Sequence, residues 1–177
     1  MKLSFERSKT GVPYLLGVGD IGTGTAEMVK RLDQKHNEEA RYFIIHSLGG
    51  WVHEAVELAR HFRGRELKVI VPDRAHCLSA CTLALTGGTE RVVYPTAWVG
   101  LHQVTLASRK SRPVRSTYRK AQHDTAQMMV FLETMGIDPM VWRWALQTPP
   151  DEMYMIAPSD LLKSRLATIV SNNIRMR

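Results

Sequence analysis

Arg41-Tyr42-Phe43-Ile44-Ile45-His46-Ser47-Leu48-Gly49-Gly50 sets four apolar side chains in a row and then breaks into a turn built on two glycines. An unbroken apolar run of this length is the mark of a strand buried on both faces, which requires a parallel sheet covered by helices. The flanking sequence supplies both. Upstream, residues 14–18 read as a short strand after Pro13, and residues 25–32 show helical spacing through Ala26, Val29 and Leu32. Downstream, Val52, Ala55, Val56, Ala59 and Phe62 recur at helical intervals before Gly64, and residues 67–71 form the next buried strand. Alternation of strand and helix implies right-handed crossovers and an α/β fold with a largely parallel β-sheet and flanking helices.

The same pattern continues to the C-terminus. A loop from Pro72 leads to a short helix over 79–85 stopped by Gly87 and Gly88, then strands near 91–94 and 98–102. A long helix is expected over 117–135, ended by Gly136, and a shorter one after Asp138-Pro139. A strand over 153–156, a helix over 159–166 and a strand over 167–170 complete the chain. With 177 residues, 44% of them hydrophobic, residues 1–177 are read as one domain with a sizeable core. No apolar run approaches the ~18 residues of a membrane-spanning helix. The N-terminal Lys2, Glu6, Arg7 and Lys9 lead into no apolar signal segment. The chain is therefore expected to be soluble, cytoplasmic as written, and exported or periplasmic if a signal peptide was removed upstream.

Net charge is +7, and the excess is local: between Arg91 and His123 stand seven Lys or Arg and no Asp or Glu. Six of the seven are Arg109, Lys110, Arg112, Arg115, Arg119 and Lys120, a cluster able to attract phosphate, anionic lipid or an acidic partner. Only Tyr118 interleaves it, whereas single-strand nucleic-acid surfaces alternate cations with several stacking aromatics, so nucleic acid is not the favoured partner. Gly17-Val18-Gly19-Asp20-Ile21-Gly22 fits a dinucleotide-binding spacing. The following strand, however, runs into Ser47 rather than the acidic residue a ribose needs, and the glycines read as a tight turn. Cys77 and Cys81 are too few for a disulfide scaffold and lack the remainder of a zinc site, so neither metal nor cofactor is expected.

Gly49-Gly50, Ser79 and His102 each lie at or just beyond the end of an expected parallel strand, the side of an open sheet where ligands bind. Ser79 sits where a helix begins, beside unpaired backbone donors. The N–H of Ala80 and one from the Gly49-Gly50 turn could form an oxyanion hole. A plainer interpretation stands beside this one. Ser79 is a favoured N-cap, His102 could be a core histidine, and Gly49-Gly50 could be only a turn. His46, His53, His61 and His76 also fall near these strand ends or the adjoining helices, so proximity alone does not select a base.

The run from Phe43 to Ala55 resembles the glycine-pair segment of ClpP-class peptidases, Cys77-Leu78-Ser79-Ala80-Cys81 resembles their nucleophile turn, and Val99-Gly100-Leu101-His102-Gln103 resembles their histidine strand. The order of elements matches over roughly residues 21–170, closest to stand-alone bacterial ClpP-like proteins. This resemblance implies a ClpP/crotonase-like fold and an ATP-independent serine peptidase acting on a peptide or protein substrate. Ser79 would be the nucleophile, His102 the base, and Gly50 and Ala80 the oxyanion donors. The third member would fall just before the region resembling residues 153–158, at Asp151 or Glu152: gap-free spacing favours Glu152, residue type Asp151. Departures are Leu48 for the usual proline, His46 for the usual asparagine, and Ala80 and Cys81 where the Clp subunit has methionine and glycine. The flanking cysteines are compatible with buried packing or, in an oxidising compartment, a disulfide. Related classes use lysine as base, and Lys110 is the one lysine placed for that; an exposed lysine normally stays protonated near neutral pH.

Two other classes compete. One is a catalytically silent oligomeric scaffold or partner-binding protein; the other is acyl-CoA chemistry, which would need Glu54 and Glu90 to face the cleft. Self-association as a homo-oligomer is expected through the region after the histidine strand, with Met128, Met129, Phe131, Met135, Met140, Trp142 and Trp144, although these residues also suit ordinary core.

Overall fold

The computed structural model describes residues 1–104, 114–173 and 176. Its elements are β1 (Lys2–Arg7), β2 (Pro13–Val18), α1 (Thr25–Lys35), β3 (Tyr42–His46), α2 (Val52–Gly64), β4 (Lys68–Val71), β5 (His76–Leu78) and α3 (Ala80–Leu85). They continue with β6 (Arg91–Val93), β7 (Trp98–Leu101), α4 (Val114–Thr134), α5 (Met140–Gln147), β8 (Tyr154–Met155), α6 (Pro158–Lys163) and β9 (Ile169–Val170).

The main sheet has the order β1-β2-β3-β4-β6-β9. Every pairing in it is parallel except β1 with β2. The apolar run in β3 behaves as its sequence demands: Phe43 and Ile45 have no exposed surface, and the Phe43 ring packs at a tilt against Phe62 of α2, 4.4 Å between centroids. Three findings differ from expectation, the first being strand β5, which falls in the stretch read as a loop from Pro72. Strand β1 was not foreseen, although Leu3 and Phe5 alternate with polar residues and pack against the core. The parallel set is also divided, because β5, β7 and β8 form a separate three-stranded sheet with β5 parallel to β7 and β8 antiparallel to it. A parallel bridge between Ser47 and Cys77 joins the two sheets.

Of the residues proposed for self-association, Met128, Phe131, Met135 and Trp142 are buried in the core. The first half of α4, in contrast, lies open, with Val114 and Tyr118 exposed.

Polar groups fix how the helices sit. Asp33 on α1 is fully buried; its Oδ2 accepts from Arg65 Nε at 2.9 Å and lies 3.2 Å from His61 Nε2. Burial pushes this carboxyl up, but hydrogen bonds from His61 and Arg65 and the arginine charge together hold it below the usual aspartate range. Arg63 at the end of α2 donates to the carbonyls of Thr86, Gly87, Gly88 and Met135, closing the C-terminal ends of α3 and α4 with one guanidinium. Gly87 makes that approach possible, since a Cβ there would stand 2.2 Å from the carbonyl oxygen of Ala59.

At the start of α1, the Glu54 carboxylate accepts from the N–H groups of Gly24 and Ala26 at 2.8 and 2.9 Å. It occupies the place a dinucleotide phosphate would need, which is the physical reason that the glycine spacing at 17–22 does not make a phosphate loop. These bonds, Ala26 first, hold the Glu54 carboxyl below the ordinary glutamate range. A carboxyl depressed in the folded state stabilises fully above its unfolded pKa and ceases to do so as pH falls through its folded value. Glu54→Gln should therefore lower stability at neutral pH by roughly 1 kcal/mol, the ordinary worth of a helix cap. The difference from wild type should shrink in urea titrations as pH falls below the ordinary glutamate range, and a pH-independent difference would contradict the capping role.

Candidate active site

Three segments meet where β3, β5 and β7 end, and their main chains cross at van der Waals distance. Ile21 N–H donates to the Gly49 carbonyl at 2.7 Å, and Trp51 N–H donates to the Ile21 carbonyl at 2.9 Å. On the other side, Ser47 N–H donates to His76 O, Leu78 N–H donates to Ser47 O, and Ser79 N–H donates to Gly100 O at 2.8 Å. Only glycine fits the middle of this weave. Gly49 (φ +111°) would place a Cβ 2.7 Å from Ser79 Cβ, and Gly50 (φ +137°) would place one 2.2 Å from Ile21 O.

Ser79 stands at the cap position of α3 but does not cap it. Its hydroxyl makes no hydrogen bond among the described residues. Its backbone sits at φ 53°, ψ −126°, far from the extended conformation of an ordinary N-cap. Such a conformation in a non-glycine residue costs on the order of 1–3 kcal/mol and persists only where its surroundings over-determine it. Here Thr82 holds the Ser79 carbonyl through both its N–H (3.0 Å) and its hydroxyl (2.6 Å). The N–H groups of Gly50 and Ala80 have no acceptor among the described residues. Donors in this condition are the type that stabilise a developing oxyanion.

A cleft of about 370 Å³ opens beside Ser79, with His102, His53, Gln103, Gly50 and Ala80 in its lining. Val52, Leu83, Leu101, Val141, Trp142 and Ala145 give it an apolar wall. Thus two of the seven histidines face it. The other five are engaged or placed elsewhere: His36 stacks on Phe5, His61 lies on Asp33, and His123 is exposed on α4. His46 accepts the His76 N–H, and His76 in turn meets Trp98 edge-on at 4.5 Å.

Among the described residues, His102 Nδ1 is buried with no hydrogen-bond partner. Asp151 and Glu152 lie exposed in the turn before β8, and among the described residues neither is bonded to His102. Glu54 is committed to α1, and Glu90 pairs with Lys68 at 2.7 Å, so neither carboxylate that acyl-CoA chemistry would use lines the cleft. Lys110, Arg109 and Arg112 fall outside the described residues. Cys77 and Cys81 are joined by a disulfide that brackets Ser79. His53 and Trp142 carried a weaker signal in the sequence; a histidine three positions after the glycine turn was the available clue to the first.

A second concavity, lined by Arg41, Arg63, Arg65 and Lys68, lies at the opposite ends of the strands. Three of these cations are already held, by main-chain carbonyls, by Asp33 and by Glu90 respectively.

No family model and no curated protein matches the chain. Solved structures do. A serine-to-alanine mutant of the 1510-N membrane-bound stomatin-specific protease superposes with a TM-score of 0.62 at 18% identity, covering 90% of this chain and 78% of that one. A lysine-to-alanine mutant of the same protease, in complex with a substrate peptide, gives 0.63 at 16% identity, covering 90% and 74%. The fold expected from the sequence, the α/β architecture of ClpP-like proteases, is the one the chain adopts.

The crossing predicts a sharp contrast between glycines. Gly50→Ala should cost upwards of ~2 kcal/mol in urea denaturation, from positive-φ strain plus overlap with Ile21. Gly64→Ala, with nothing within 4 Å of the new Cβ, should be neutral or gain roughly 0.5–1 kcal/mol. Similar values for the two would remove the steric argument.

Proposed function

We propose that this chain is a serine peptidase in which Ser79 is the nucleophile and His102 the general base. One observation carries the proposal: a serine at a strand-to-helix turn, in a strained conformation and not serving as a cap, opens onto a cleft shared with a histidine. In this mechanism Ser79 Oγ attacks the carbonyl carbon of a peptide while His102 accepts its proton. The N–H groups of Gly50 and Ala80 bind the resulting oxyanion, each donor contributing roughly 10²–10³ in rate. His102 then returns the proton to the leaving amine, and water releases the acyl group by the same steps. The apolar wall of Leu83, Val141 and Trp142 suits an uncharged side chain next to the scissile bond.

Asp151 and Glu152 remain the two candidates for the orienting acid, and either would have to swing toward His102 Nδ1 for that role. That no described residue partners this nitrogen favours a second reading, with Lys110 as base; the peptide complex of the structural neighbour was likewise solved with a lysine replaced. The scaffold alternative retains the fold without chemistry, and a homo-oligomer would suit either. No helix among the described residues is long and apolar enough to cross a membrane.

A fluorophosphonate serine-hydrolase probe separates these readings. Wild type should label covalently, and Ser79→Ala should abolish labelling. A loss of 10²-fold or more in His102→Ala, with Lys110→Ala near wild type, identifies the histidine as base. The reverse pattern identifies the lysine. Folded wild type that never labels would support the scaffold.

A further inference from the structure

We propose that the Cys77–Cys81 disulfide is a positioning device for Ser79, an inference that rests on the peptidase reading and adds to it a dependence on thiol redox state. Ser79 sits midway along a bridge of sequence separation 4. One end is anchored in β5, where Cys77 pairs with Val99 of β7 and bridges to Ser47 beside the glycine turn. Cys81 lies in the first turn of α3. The bond therefore ties the strand that delivers Ser79 to the helix that leaves it, and neither cysteine has any exposed surface.

A bridge around so short a loop removes less chain entropy from the unfolded state than a long-range one, so its effect falls on the turn rather than on global stability. The turn is also where constraint is needed. Ser79 holds a positive φ with its hydroxyl unbonded among the described residues, while its N–H and carbonyl are fixed by Gly100 and Thr82. The covalent ring restricts the torsions between those two fixed peptide groups.

Reduction by a dithiol such as dithiothreitol transfers two electrons and two protons to the S–S bond, leaving thiols on Cys77 and Cys81 and a cyclic disulfide of the reagent. Bonded sulfurs sit about 2 Å apart, whereas non-bonded buried atoms need roughly 3.5–4 Å. With both cysteines enclosed, the turn takes up the difference and Ser79 loses its aim. A thiol-buffered compartment would open the bridge, and an oxidising one would keep it closed.

The test measures fluorophosphonate labelling rate against probe concentration for air-oxidised wild type, for dithiothreitol-reduced wild type, and for reduced protein reoxidised with oxidised glutathione. Alkylation and mass spectrometry count the thiols in each. The maximal rate should fall about 10–100-fold on reduction, with the half-saturating probe concentration unchanged, and should return on reoxidation. Cys77→Ala/Cys81→Ala should be slow and indifferent to dithiothreitol; if that variant fails to fold, the reduced wild type decides. Equal rates in both redox forms overturn the positioning role and leave the peptidase reading standing. Two alkylatable thiols in untreated protein overturn it as well, as does loss of the far-UV circular dichroism signal together with labelling, which would mark a structural staple. No labelling in any state removes the peptidase reading and this inference with it.

Discussion

Everything near the cleft depends on one steric fact: the main chain at Gly49-Gly50 is touched on both sides by other main chain. Ile21 presses from one side and the Leu78-Ser79-Ala80 turn from the other, closely enough that no Cβ fits at either position. The hydrogen bonds that run through this crossing join a loop before α1, the end of β3, the end of β5 and the end of β7. Four segments distant in sequence thus share one rigid network. The orientation of Ser79 follows from it, because its N–H belongs to Gly100 and its Cβ rests where Gly49 leaves room.

The far end of α3 is held just as firmly, by cations in place of glycines. Arg63 holds the Thr86, Gly87 and Gly88 carbonyls in the turn that follows α3, and Arg91, 6% exposed, donates to Gly88 and Arg165. Burial, with Arg63 and Arg165 nearby, pulls the Arg91 guanidinium down to about 10, so it remains charged at neutral pH. These carbonyl oxygens offset part of the cost of burying that charge. The helix that begins at Ser79 is consequently pinned at both ends, and a displacement at one would have to be absorbed within two turns.

Much of this was legible in the sequence because it rests on periodicity and on glycine. The apolar run of β3, the helical spacing of α2 and the glycine pair all report local constraints that a single sequence displays. Ser79 and His102 could be placed at strand ends for the same reason. What could not be read depends on distant partners. The three residues of β5 are too few to show a period, and only their pairing with β7 makes them a strand and divides the sheet in two. Whether Ser79 caps its helix turns on a backbone torsion, and whether Asp151 or Glu152 reaches His102 turns on a short turn, neither of which spacing encodes. His53 was one of several histidines in sequence, and only the cleft separates it from His46 and His76.

The borders of the main sheet govern how copies of this chain could meet. One border is β1, which carries Lys2, Glu6 and Arg7 and ties Arg7 to Glu39. The other is β9, two residues long. Charge on one margin and brevity on the other deny a neighbouring molecule a long, flat, apolar ladder to extend. Growth by strand addition is thereby disfavoured at both margins of the main sheet, and the chain's own strands are left to pair only with one another.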